Sequence, residues 1–93
     1  MTIQTRADIA GADAKVALSS TQGVKARRIW LTASGGTARF GDANVAVGRG
    51  VICPQNVLVT ISASDADPTD TIDLTIASVY VPTGTTLTVS WGN

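Results

Sequence analysis

Histidine and glutamate are both missing from this chain, and cysteine occurs once, as Cys53. The first absence removes the commonest metal ligand and the commonest general base. With only Lys15 and Lys25 left as bases, a Ser, Thr or Cys nucleophile has no ordinary partner to activate it. Paired-Asp catalysis would need a cleft that a chain of 93 residues hardly provides, so no enzyme is expected, and no cofactor. One cysteine allows no internal disulfide; beside Pro54 in an apolar run, Cys53 reads as a buried, inert thiol. Every acid is Asp, which suits turns and caps where Glu suits helix interiors, so helices are disfavoured. No apolar run approaches the roughly 20 residues that cross a membrane as a helix. The stretch MTIQTRADIAGADAK holds no apolar core of signal-peptide length. A soluble protein with no membrane partner and no recognisable secretion signal is expected. Neither sign of charge is in excess, seven Lys and Arg against seven Asp, so no long-range field draws the chain to nucleic acid.

What is present points to strands. Thr and Val are abundant and recur in short runs between turn residues. Candidate strands are KVALS (15–19), KARRIWLTA (25–33) and TARFG (37–41), with a hairpin expected around Ser34-Gly35-Gly36. Asn44–Val47 and Val51–Cys53 are short pieces flanking Gly-Arg-Gly; VLVTI (57–61), TIDLTIASVYV (71–81) and TLTVSW (86–91) follow. In the last, Leu87, Val89 and Trp91 alternate with Thr86, Thr88 and Ser90, one face buried and one wet. The fold class expected is all-β: one small β-sandwich or jelly-roll-like barrel of about seven or eight short antiparallel strands over residues 15–93. Residues 1–14 carry a single bulky apolar side chain in TRADIAGADA, Ile9; a short helix there would have no face to bury, and an extended arm ordered by a neighbour is expected.

Chains of this length bury only roughly 60–65% of the surface they expose when unfolded. Without a disulfide or a metal, partner subunits are the remaining brace. RIWL and VYV carry apolar side chains at consecutive positions, as a strand covered on both faces or a subunit interface would. Large aromatics anchor cores and interfaces alike, so Trp30, Tyr80 and Trp91 are interface candidates. Ile3, Arg6 and Ile9 of the arm join them, with Arg27, Arg28, Arg39 and Arg49, because Arg blunts edge strands and forms interface ion pairs. The same arginines form no convincing nucleic-acid stripe, lacking interleaved aromatics.

Two stretches invite a ligand. GDANVAVGRG (41–50) is rich in glycine but precedes Val-Ile-Cys-Pro, whereas a phosphate loop opens a helix and a P-loop needs Gly-Lys-Ser/Thr; tight turns account for it. Asp65, Asp67, Asp70 and Asp73 in SDADPTDTID supply the oxygen ligands calcium wants, yet lack the glycine and final Glu of an EF-hand loop. Asx turns beside Pro68 explain the same residues without an ion. A calcium-dependent module for glycans or a host surface is the competing reading these acids leave open.

Arg39-Phe40-Gly41-Asp42-Ala43-Asn44-Val45, Arg49-Gly50-Val51 leading to Pro54, Asp73-Leu74 ahead of Val79-Tyr80-Val81, then Gly84 and LTVSW together resemble a pattern of small β-proteins from tailed bacteriophage virions. Some of these are similar to capsid decoration (cement) proteins with jelly-roll-like folds. The resemblance spans residues 25–91. It implies a structural protein on the capsid exterior that forms homotrimers, binds the major capsid protein and stabilises the shell. The segment Met1–Ala14 is then the candidate capsid-contacting element. A tail-associated or head–tail joining protein is the alternative within the virion.

Overall fold

A computed structural model describes residues 3–19, 24–42, 44–63 and 69–92. Among them there is no helix; the chain runs through eleven short strands joined in antiparallel pairs. These are β1 (Ile3–Thr5), β2 (Ile9–Ala10), β3 (Ala14–Ala17), β4 (Lys25–Ala26), β5 (Arg28–Ser34) and β6 (Ala38–Gly41). They are followed by β7 (Val51–Cys53), β8 (Leu58–Ser62), β9 (Ile72–Asp73), β10 (Ser78–Val81) and β11 (Thr86–Gly92). One sheet has the order β1-β11-β5-β8, with β2 also on β11; a second has the order β3-β10-β6-β7; β4 and β9 form a short third.

The core follows from period-two patterning. Ile29, Leu31 and Ala33 of β5 and Leu87 and Val89 of β11 are fully enclosed, while Thr32 and Thr88, paired across the same two strands, face outward. Trp91 continues the inward row of β11 and packs half-buried against the core. The second sheet contributes Phe40, Cys53, Val79 and Val81, and Ala26 and Leu74 close the same cluster. A buried Leu, Ile or Val contributes about 1.5–3 kcal/mol relative to exposure, so this shared cluster is the main source of stability.

Three expectations are corrected. The segment up to Ala14 is not an arm detached from the domain: β1 and β2 pair with β11, and β3 begins at Ala14 itself. Five residues from Thr5 to Ile9 face four from Ser90 to Leu87, a β-bulge that bends the strand and frees Arg6 to point elsewhere. Ile9, far from being an exposed contact, is buried in the chain's own core. Gly11, which leads from β2 to β3, lies so close to Pro82 that a Cβ would collide with that residue's carbonyl oxygen. The Ser34-Gly35-Gly36 turn does not close a hairpin, since β5 and β6 belong to different sheets. It carries the chain across the core, with Gly35 at φ 81° against Gly84. TIDLTIASVYV, read as one strand, is broken between β9 and β10. The Asp73 carboxylate accepts from the Thr75 amide at 2.9 Å and its hydroxyl at 2.7 Å, and the Asp73 carbonyl accepts from the amides of Ile76 and Ala77.

Candidate assembly surface

The two larger sheets end on the same side of the molecule, where β7 is the last strand of one and β8 the last strand of the other. The connection between them is tight. Asn56, at φ 62°, donates its amide to Ala33 at 2.8 Å, and Val57 donates to the Pro54 carbonyl at 3.3 Å. Asparagine tolerates this left-handed conformation better than most residues. From Val51 to Ala63 the chain has no charged residue.

This side also holds most of the large apolar side chains left in water. Leu58 is 63% exposed, with Val51, Ile52 and Val57 each about half exposed; outside this stretch, among the described residues, Val47, Ile3 and Ile76 compare. Scattered exposed aliphatics are normal, whereas a concentration beside strand edges marks a surface that something covers. The opposite edges differ in kind. Along β1, β2 and β3 stand Arg6, Asp8, Asp13 and Lys15, together with the bulge, and both are devices that keep an edge from pairing with another chain.

The expected site residues are dispersed over the molecule. Ile3 is exposed on β1. Trp30 lies half-buried on the outward face of β5, beside Ser90 on one strand and Thr60 on the other. Tyr80 lies half-buried on the outward face of β10, with Lys15 and Arg39 across the neighbouring strands. Trp91 is turned inward, and its Nε1 donates to Gln4 Oε1 at 3.0 Å. Three arginines are occupied by main-chain carbonyls. Arg6 donates to Ala17 and Leu18 at 3.2 and 3.0 Å, Arg27 to Asp70 at 2.7 Å, and Arg39 to Gly50 at 3.2 Å. These contacts brace turns and strand ends of the same chain. Arg28 is on the five-stranded sheet, Arg39 on the four-stranded one and Arg49 in an exposed turn, so the arginines form no single stripe.

The glycine-rich stretch is a packed turn. Asp42 Oδ1 accepts from the Asn44 amide at 2.8 Å, Val45 donates to the Asp42 carbonyl, and Ala46 and Arg49 exchange main-chain bonds. Val45 is buried, and a Cβ on Gly50 would stand 2.8 Å from the Phe40 carbonyl oxygen and 2.9 Å from Val45 Cγ2. The Asp42 carboxylate, which could suggest a ligand loop, is holding the backbone.

Of the candidate calcium ligands, Asp65 and Asp67 lie outside the described residues. Asp70 and Asp73 line a groove of about 440 Å³ with Phe40, Ile61 and Ile76. The bonds from the Thr75 hydroxyl and amide hold the Asp73 carboxyl below its usual range, which is the behaviour of an Asx-type turn. Among the described residues no three acids or thiols gather in metal-binding geometry. Asp13 plays a similar role at β3: bonds from the Thr83 amide and hydroxyl, both 2.9 Å, lower its carboxyl. Cys53 is fully enclosed, and burial pushes its thiol up. The chain matches no protein-family model, no curated protein and no solved structure.

Proposed function

We propose that this chain is a structural component of tailed-bacteriophage particles, a decoration protein that sits on the capsid exterior and stabilises the shell. It acts without catalysis, as a homotrimer in contact with the major capsid protein. The five- and four-stranded sheets sharing one cluster of buried side chains are read, in this account, as the two layers of a jelly-roll-like sandwich. The observation that carries the reading is the stretch Val51–Ala63 through β7 and β8, which has no charged residue of its own and leaves Val51, Ile52, Val57 and Leu58 about half or more exposed. A chain that works by being covered leaves such a side; a chain that works on a small ligand places convergent polar groups in a pocket. The turn residues that resemble phage virion proteins fit the same role, because Asp42, Gly50 and Asp73 secure the scaffold that presents this side. Many copies on a lattice make individually weak contacts sufficient.

The test is direct. Purified protein is mixed with undecorated capsid shells, the shells are sedimented, and bound copies are counted and imaged. Binding distributed over the lattice is expected. Copies confined to one vertex would move the protein to the tail or the head–tail joint, and no binding would overturn the reading.

A further inference from the structure

We propose that the cavity of about 380 Å³ beside Arg6 receives an acidic side chain, Asp or Glu, from a partner protein. The proposal rests on the structural-assembly reading above and names the chemistry of one contact. The cavity is lined by residues of both larger sheets: Arg6 and Ala7 of the bulge, Val16 to Ser19 at the end of β3, and Trp91 of β11. Arg6 reaches it because the bulge turns its side chain off the first sheet and toward the second. Three carbonyls hold the guanidinium there. Nη1 donates to Ala17 at 3.2 Å and to Leu18 at 3.0 Å, and Nε donates to Ala7 at 3.3 Å.

A guanidinium carries five N–H donors in one rigid plane. These bonds use three of them, and the two on Nη2 have no acceptor among the described residues. No acid lines the cavity, and no carboxylate among the described residues is paired with Arg6. The charge is fixed in place, half-buried and met only by neutral carbonyl dipoles. An incoming anion therefore gains a charge-assisted bond with little ordering cost on this side. The walls and the donor count select the anion. Val16 and Trp91 are half-buried apolar side chains, and the indole Nε1 is already spent on Gln4 Oε1, so the ring offers surface and no donor. Two N–H groups on one nitrogen suit a carboxylate, whereas a phosphate with three strong acceptor oxygens would go largely unsatisfied. One prepared cation beside apolar walls anchors a side chain that arrives on a larger surface; a free small ligand is held by several convergent polar groups.

The experiment titrates the native chain with a blocked Gly-Leu-Glu-Leu-Gly peptide and with its Gln counterpart, following amide, indole and arginine Nε resonances by NMR. The Glu peptide is expected to shift Arg6, Ala7, Val16–Ser19 and Trp91 saturably, and the Gln peptide to leave them in place. Ala7→Glu, at an exposed lining position, supplies an internal carboxylate and should abolish the response, while Ala7→Gln keeps it. Arg6→Gln should weaken binding about tenfold or more, the loss expected of a charge-assisted bond; should it fail to fold, the Ala7 pair decides alone. Equal shifts with the Gln peptide, shifts spread over all the arginines, binding unchanged in Ala7→Glu, or no saturable response would each overturn the proposal. Binding of free isovalerate without binding of the peptide would overturn it too, since the ligand would then be a small acid. Shell binding separates the two readings. A chain that binds the Glu peptide and ignores shells defeats the virion function alone, while shells bound equally by the native chain and Ala7→Glu, with no peptide response, defeat this proposal alone.

Discussion

Replacing Gly50 by Ala asks whether GDANVAVGRG is scaffold or ligand loop. Gly50 has φ 118°, and a Cβ there would press on the Phe40 carbonyl at 2.8 Å and on Val45 Cγ2 at 2.9 Å. Backbone strain of this kind costs about 1–3 kcal/mol, and forcing an extra carbon into a packed site about 1–3 kcal/mol more. A central value of about 4 kcal/mol is a large part of the roughly 5–14 kcal/mol available to a chain of this length. Gly48 is the internal control. It too has positive φ, 74°, but a Cβ there meets nothing within 4 Å, so Gly48→Ala carries only the left-handed cost of about 1–2 kcal/mol. At about 4–8 °C per kcal/mol, thermal unfolding should fall by roughly 16–32 °C for Gly50→Ala and by roughly 4–16 °C for Gly48→Ala. Equal shifts for the two variants would refute the claim that packing fixes this turn. So would an undisturbed Gly50→Ala protein that had lost a ligand.

Other predictions concern the N-terminal strands, acid and the thiol. Ile9→Ala should cost about 2–4 kcal/mol in denaturant unfolding, as a buried aliphatic does; a loss near zero would return the first residues to the status of a detached arm. The Asp13 carboxyl is lowered by its bonds to Thr83, so its contribution is present above the ordinary carboxylate value and is lost as pH falls through the folded one. Stability measured from about pH 5 downward should therefore fall less steeply in Asp13→Asn than in the native chain. Cys53, enclosed and with its thiol pushed up, should react with a disulfide reagent only as fast as the chain opens, and immediate labelling at neutral pH would contradict its burial.

Some of the fold was legible and some was not, for identifiable reasons. β11 could be read directly because Leu87, Val89 and Trp91 turn inward at strict period two while Thr88 stays in water. The first ten residues hid two strands. An edge strand pairs on one side only, and the bulge at Arg6 breaks the period that would reveal it. The break after β9 escaped notice because Leu74-Thr75-Ile76 looks β-prone, whereas Asp73 bonds the Thr75 amide and hydroxyl and turns the chain. At Ser34-Gly35-Gly36 the turn chemistry was legible but its destination was not, since a glycine turn does not say which sheet the next strand joins. That Arg6, Arg27 and Arg39 reach carbonyls of their own chain could not be read from sequence, because the acceptors lie eleven to forty-three residues away. The uncharged run from Val51 to Ala63 was visible in the sequence all along. Only the position of β7 and β8 at two sheet ends gives it meaning as a surface.

Sedimentation equilibrium of the native chain over a wide concentration range tests the central claim most directly. The account predicts a single closed species at three times the 9.5 kDa chain mass, dissociating only at high dilution. A mass of 9.5 kDa at every concentration would contradict it.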